Sequence, residues 1–190
     1  MDDLEITQYA LAAGQGDRLA AERFVAATQR QLHRLLSYLS SPADAEDLVQ
    51  ETYLRAFSSL PKFAARAPAR IWLLTIARRV AADHLRLRKR RPQQSQLDDW
   101  VDAADRAGAH TADHQHEVLL RQVIDALQDD RRDAFVLTQV LGMPYAEAAE
   151  ICGCPVGTIR SRVARAREDL VRAIGLDTTG SSHDATGSGN

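Results

Sequence analysis

Lysine is nearly missing from this chain of 190 residues: Lys62 and Lys89 are the only two among 24 basic residues, so the positive charge is almost all arginine. Aromatic residues make up 5%, too few, with β-branched residues also sparse, to build many strands. The two cysteines sit together as Cys152-Gly153-Cys154 and cannot staple a secreted fold, which makes the cytoplasm the expected compartment. No stretch approaches the ~18 apolar residues of a membrane span, so membrane insertion is not expected. The amino end, Met1-Asp2-Asp3-Leu4-Glu5, is acidic where an export signal is basic. There is no glycine-rich phosphate loop, nucleophile elbow or H-E-x-x-H motif. The sequence therefore predicts a protein that is not an enzyme and has no cofactor or metal. A net charge of −2 excludes a polycationic DNA coat, but a local basic patch matters more than the sum.

What is present is helical. Hydrophobic residues reach 45%, enough for a core, and alanine, leucine and arginine favour helices. Residues 4–91 form the first expected domain. They carry a short helix Leu4–Ala13 and a helix capped by Asp17 that presents Leu19, Phe24, Leu32, Leu35 and Leu39. A third helix starts at Ser41-Pro42, with Leu48, Val49, Tyr53 and Phe57 inward, and a fourth follows Pro68 with Ile71, Leu74, Ala77, Ala81 and Leu85 inward. Residues 92–114, with Asp98, Asp99, Asp102, Asp105 and Asp113, read as a flexible acidic linker. Helical periodicity returns over 115–174, in helices near 115–127, 131–141, 145–151 and 156–174. The tail, 175–190, is polar and expected to be disordered. The fold class is all-α, with two helical domains.

The sharpest local signal is a helix-turn-helix over Tyr145–Ile159. Ala149 is small where a second helix crosses, Gly153 suits a left-handed turn, and Ile159 anchors the second helix. That helix carries Thr158, Arg160, Ser161 and Arg165, with Arg160-Ser161 and Arg165 about one turn apart on one face. Arginine forks match guanine edges and phosphates. An arginine run alone favours a solvated face; the Ala-x3-Gly-x5-Ile spacing before it reverses that and favours DNA reading.

Other features stay open on spacing alone. Asp47, Gln50 and Glu51 share one helix side, which fits a docking face, while Asp44, Glu46 and Asp47 also suit the dipole at the helix start, which is reason enough for them. Arg78, Arg79 and Arg86 line a polar face that fits nucleic acid or solvent. Trp72 suits a core better than a base-stacking platform. Cys152 and Cys154 make half a zinc site at most and read as structural, and His110, His114 and His116 lie in the polar linker.

Taken together, three stretches resemble the extracytoplasmic-function (ECF) subgroup of the sigma-70-type bacterial RNA polymerase sigma factors, nearest its actinobacterial sigma C type. They are AEDLVQETYLRAF (45–57), ARIWLLTIARRVAADHLRLRKRRP (69–92) and YAEAAEICGCPVGTIRSRVARARE (145–168), in the family's order and separation. The resemblance implies a sigma2-like four-helix domain and a sigma4-like helix-turn-helix domain. It implies core RNA polymerase (the β′ clamp helices and the β flap) and promoter DNA as partners, with an anti-sigma factor as a further candidate. Asp47, Gln50 and Glu51 would then dock on polymerase. Phe63, with the loop around it, and Arg78, Arg79 and Arg86 would read and melt the −10 element, where a base leaves the stack for a pocket. Thr158, Arg160, Ser161 and Arg165 would read the −35 element. The acidic linker matches the segment that threads toward the RNA exit path.

The sequence departs from the pattern at Arg79, where the family usually has Asn, which leaves the preferred −10 sequence open. Pro144 and Pro155 stand where Ser or Thr caps are usual. Two rival readings remain: a dimeric repressor or activator, which needs tight DNA binding without polymerase, and a helical adaptor, to which Arg160 and Arg165 would be indifferent.

Overall fold

A computed structural model describes residues 2–90 and 120–179, and every regular element among them is helical. Helices α1 (Asp3–Gly14), α2 (Arg18–Leu39), α3 (Ala45–Ser59) and α4 (Ala69–Arg90) form the first unit, with a 3₁₀ turn at Leu60–Lys62 after α3. The second unit holds α5 (described over 120–125) and α6 (Asp129–Phe135), which runs into a π turn at Val136–Val140. It is completed by α7 (Tyr145–Cys152) and α8 (Val156–Thr179). The expected linker, with its three histidines, and the chain after Thr179 lie outside the described residues. Helix α8 passes Gly175, where the sequence predicts the helix to stop.

Local chemistry sets the helix ends. Asp17 is extended, and its carboxylate accepts from the Ala20 N–H at 3.0 Å, capping α2 as expected. A Cβ on Gly14 would come within 2.7 Å of the Leu60 carbonyl oxygen, so α1 can end against the 3₁₀ turn only without a side chain there. Two expectations are corrected. Helix α3 begins at Ala45 rather than at Ser41-Pro42, because Ser41 and Asp44 close a turn ahead of it. The Asp44 N–H donates to Ser41 Oγ at 3.1 Å, and that hydroxyl donates to Asp44 Oδ2 at 2.6 Å. Leu19 is 56% exposed rather than inward, since Ala20 takes the buried place in the first turn of α2.

The two units share one apolar core. Phe24, Leu32 and Leu35 of α2 and Leu73 and Leu74 of α4 belong to the same buried cluster as Ile124, Leu137, Ile151 and Ile159 of the second unit. A smaller cluster of Val123, Leu127, Ala166 and Leu170 ties α5 to α8. Polar contacts edge the seam between α4 and α7. Arg70 forks onto both Asp3 oxygens at 2.7 and 2.9 Å and reaches Glu147 Oε2 at 2.8 Å, joining α1, α4 and α7 through one guanidinium. Its bond to Arg70, with the charge behind it, holds the Asp3 carboxyl below the usual range despite partial burial. Arg121 donates to the Ser37 carbonyl at 2.5 Å and lies 4.6 Å over the Tyr38 ring.

Inside the second unit, buried Arg132 closes the end of α5. It donates to the carbonyls of Ile124 at 3.2 Å and Leu127 at 3.1 Å, and to that of Asp125. These are the acceptors a helix end leaves open. Arg132→Ala should therefore cost on the order of 3 kcal/mol, read as a lower urea midpoint at unchanged slope. A midpoint equal to the parent's would show that water replaces the guanidinium without loss.

Candidate docking and nucleic-acid interfaces

Helix α3 buries Leu48, Thr52, Tyr53 and Ala56 and turns the opposite side outward. The Tyr53 hydroxyl, 2.8 Å from Thr28 Oγ1, fixes α3 against α2. On the outer side Asp47 and Gln50 are exposed and, among the described residues, unpartnered. Glu51 accepts from Arg55 Nε at 2.7 Å, and Arg55 continues to Asp83 of α4 at 3.1 Å. The three predicted docking residues thus share a face, with one already engaged internally. Periodicity missed what lies beside them. Leu54 is 68% exposed and Phe57 is 37% exposed, whereas the stripe predicts Phe57 inward. Phe57 instead walls a shallow groove with Ala21, Val25 and Gln29 of α2. Leu54 stands one turn after Gln50, a spacing at which a large exposed apolar residue could have been noticed.

Asp44 holds the start of this helix to α4, with His84 Nε2 at 3.3 Å and Arg88 Nη1 at 3.0 Å from its Oδ2. Burial pushes the Asp44 carboxyl up, but the Ser41 hydrogen bond and the charges of His84 and Arg88 outweigh it and hold the group below the usual range. A lowered carboxylate contributes stability above its unfolded value, about 3.9, and loses it as pH falls through the folded value. The stability gap between the parent and Asp44→Asn should be open at about pH 5 and close as pH falls below about 4. Chemical denaturation across that range checks it; a gap independent of pH would contradict the pairing.

The residues predicted for the −10 element divide. Phe63 follows the 3₁₀ turn and sits 4.7 Å from Trp72 between ring centroids, both rings being half-buried. Trp72 is therefore a partner of the loop rather than deep core. Ala65 in this loop has φ 49°, a left-handed conformation that costs a non-glycine residue about 1–2 kcal/mol. Arg79 is exposed and, among the described residues, without a partner, and Arg86 is exposed and pairs with Asp83 at 2.8 Å. Arg78 turns the other way: half-buried, it donates to Asp133 Oδ2 at 2.6 Å across the seam into α6. Burial pushes the Asp133 carboxyl up against the pull of Arg78.

The helix-turn-helix is built as its spacing predicts. Gly153, at φ 65° and ψ 38°, closes α7 in a Schellman turn: its N–H reaches the Glu150 carbonyl at 3.2 Å, and that of Cys154 reaches Ala149 at 3.1 Å. Ala149 and Ile159 are buried where the helices cross. Pro155 replaces a polar cap, its carbonyl accepting from Thr158 and Ile159. On α8 the arginines fall into two sets. Arg162 is held by Asp130 at 3.1 Å, and Arg167 donates to Gln139 at 2.7 Å. Arg160 and Arg165 are exposed, without a partner among the described residues, and flank exposed Ser161, whose hydroxyl donates to the Thr158 carbonyl. Thr158 is half-buried at the start of that face. A Cβ on Gly153 would meet nothing within 4 Å, so Gly153→Ala should cost only the left-handed backbone, about 1 kcal/mol, seen as a Tm a few degrees lower. An unchanged Tm would mean that the turn is not held left-handed.

Comparison with known proteins agrees with this geometry. Residues 24–91 match the family description Sigma-70 region 2, and residues 117–170 match Sigma-70, region 4. The chain is 46% identical over 172 residues to the ECF RNA polymerase sigma factor SigC of Mycobacterium tuberculosis, covering 90% of this chain and 91% of that protein. It is 33% identical over 172 residues to the ECF RNA polymerase sigma-E factor of Haemophilus influenzae, covering 84% and 90%. The solved complex of the sigma factor RpoE with the anti-sigma factor NepR from Bartonella quintana matches with a TM-score of 0.62 at 28% identity, covering 82% of this chain and 97% of that one. CnrH, solved with the cytosolic domain of CnrY, shares the fold at a TM-score of 0.70 and 24% identity, over 91% of this chain and 99% of that one.

Two sigma-70 regions on two packed helical units define a transcription initiation factor. The chain belongs to the ECF family of RNA polymerase sigma factors, which direct promoter-specific initiation by core RNA polymerase. No helix among the described residues is long and apolar enough to cross a membrane.

Proposed function

We propose that the outer face of α3 docks on the β′ clamp helices through Asp47, Gln50 and Glu51, and that α8 reads the −35 element through Thr158, Arg160, Ser161 and Arg165. The observation that carries this reading is the pairing pattern. Arg162 and Arg167 are held by the protein itself, whereas Arg160 and Arg165 project beside Ser161 without a partner among the described residues, placed to reach bases or phosphates. Phe63 and its strained loop, with Arg79 and Arg86, form the −10 surface, and Arg78 joins it once its pair with Asp133 opens. The second unit also meets the β flap. The protein works in the cytoplasm and has no catalytic activity of its own; a net charge of −2 suits a factor that polymerase, rather than bulk charge, brings to DNA. A related sigma factor captured with an anti-sigma factor supports a partner of that class for this chain as well.

Asp47→Arg should abolish co-elution with core polymerase while leaving the circular dichroism spectrum unchanged, and retained co-elution would remove the docking face. Arg165→Ala should weaken −35 recognition by roughly 1–3 kcal/mol in holoenzyme footprinting at fixed salt. Equal footprints for variant and parent would defeat the assignment and favour a solvated face.

A further inference from the structure

Two thiols stand where the turn of the helix-turn-helix meets α4, and neither takes part in the interfaces above. Cys152 ends α7, Cys154 follows Gly153, and both are free and half-buried. Arg78, Asp133, Cys154 and Arg162 all act electrostatically on Cys152, which places it at the polar end of the α4 seam. Cys154 belongs instead to the wall of an open groove with Ala146, Glu150, Pro155 and Val156, and Arg162 Nη1 lies 3.6 Å from its Sγ. One thiol is thus set toward the seam and the other toward solvent.

We propose that Cys152 and Cys154 are an oxidisable dithiol, which hydrogen peroxide converts to an intramolecular disulfide that loosens the contact between α4 and α7. Two Cα atoms on either side of one residue are at most about 7 Å apart, and the left-handed turn at Gly153 draws them closer, into the range a disulfide spans. The turn has room to move, with nothing within 4 Å of where a Cβ on Gly153 would stand.

Access sets the order of events. The Cys154 sulfur attacks one peroxide oxygen, the O–O bond breaks, and the departing hydroxide takes up the thiol proton and leaves as water, giving a sulfenic acid. Arg162 beside that sulfur stabilises the charge building on the leaving oxygen. Burial pushes the Cys152 thiol up to about 12, so it stays protonated and acts second. Its sulfur then attacks the sulfenic sulfur; the S–S bond forms, the S–O bond breaks, and hydroxide leaves with the Cys152 proton as a second water. Two thiols lose two electrons, and one peroxide becomes two waters. The new bond draws Cys152 away from Arg78 and Asp133. It also strains the 3.1 Å bond from the Cys154 N–H to the Ala149 carbonyl, which closes α7.

The test is peroxide treatment of the full-length reduced protein, followed by intact mass, peptide mapping and hydrogen exchange. The parent should lose two hydrogen masses, yield a linked Cys152–Cys154 peptide and recover with dithiothreitol. Cys152→Ser should instead trap a dimedone-reactive sulfenic acid on Cys154, and Cys154→Ser should give neither product. In the oxidised parent, amides of α4 and α7 at the seam should exchange roughly tenfold faster. Two thiols that stay free at peroxide levels oxidising glutathione would overturn the proposal, as would a disulfide that leaves seam exchange unchanged. These readouts use neither polymerase nor DNA, so their failure is separate from any failure of the promoter assignments.

Discussion

A half-buried guanidinium needs a carboxylate within reach, because removing water from a lone charge costs more than the surrounding apolar contacts return. Arg78 meets that need with Asp133, 55 residues further along the chain, and the rest of the arrangement depends on this pair. It lets the side of α4 that carries Leu74 and Ile71 into the core end in a charge that is paired, although burial still weighs on the Asp133 carboxyl. With Arg70 spanning Asp3 and Glu147, it also adds polar ties at the edge of the apolar core that the two units share. Helix α4 therefore has three duties at once. It is the core helix of the first unit, the seat of the second, and the bearer of the exposed Arg79 and Arg86 proposed to meet DNA.

In a protein with almost as many arginines as acidic side chains, many of the guanidinium groups are taken up internally. Arg55, Arg70, Arg78, Arg131, Arg132 and Arg162 are all engaged by the chain's own carboxylates or carbonyls. Among the described residues, the guanidinium groups left open on α8 are two, Arg160 and Arg165, on the face predicted to read bases. Asp47 and Gln50 mirror them on α3 as open polar groups beside the exposed apolar side chains of Leu54 and Phe57. A surface with both a polar set and a large apolar side chain is suited to a protein partner, since the apolar part contributes area and the polar part register.

Much of this was legible in the sequence, for identifiable reasons. The Asp17 cap, the left-handed Gly153 and the anchors Ala149 and Ile159 are local signals whose physics acts within one or two turns, and each stands where expected. What periodicity could not reach was set at long range or by competing local bonds. The reciprocal Ser41–Asp44 turn displaced the start of α3, although Ser41-Pro42 has the chemistry of a helix start. Phe57 matches the inward period of α3 but lies at the edge where α2 ends its cover, so it walls a groove instead. The partner of Arg78 comes from another unit, and no pattern within α4 could name it. Of the predicted −10 set, the structure brings Phe63 against Trp72 and leaves Arg79 and Arg86 outward, while Arg78 is committed elsewhere.

We propose that Arg78 of α4 exchanges the Asp133 carboxylate of α6 for DNA when the factor assembles. The most direct measurement is the distance between spin labels introduced through unnatural amino acids at Ser58 and Glu168, both exposed, in the free chain and in holoenzyme on promoter DNA. The account predicts a single short distance in the free chain and a single longer one in the assembled complex. One unchanged distance in a complex that initiates transcription would contradict it, because Arg78 would then remain with Asp133 throughout.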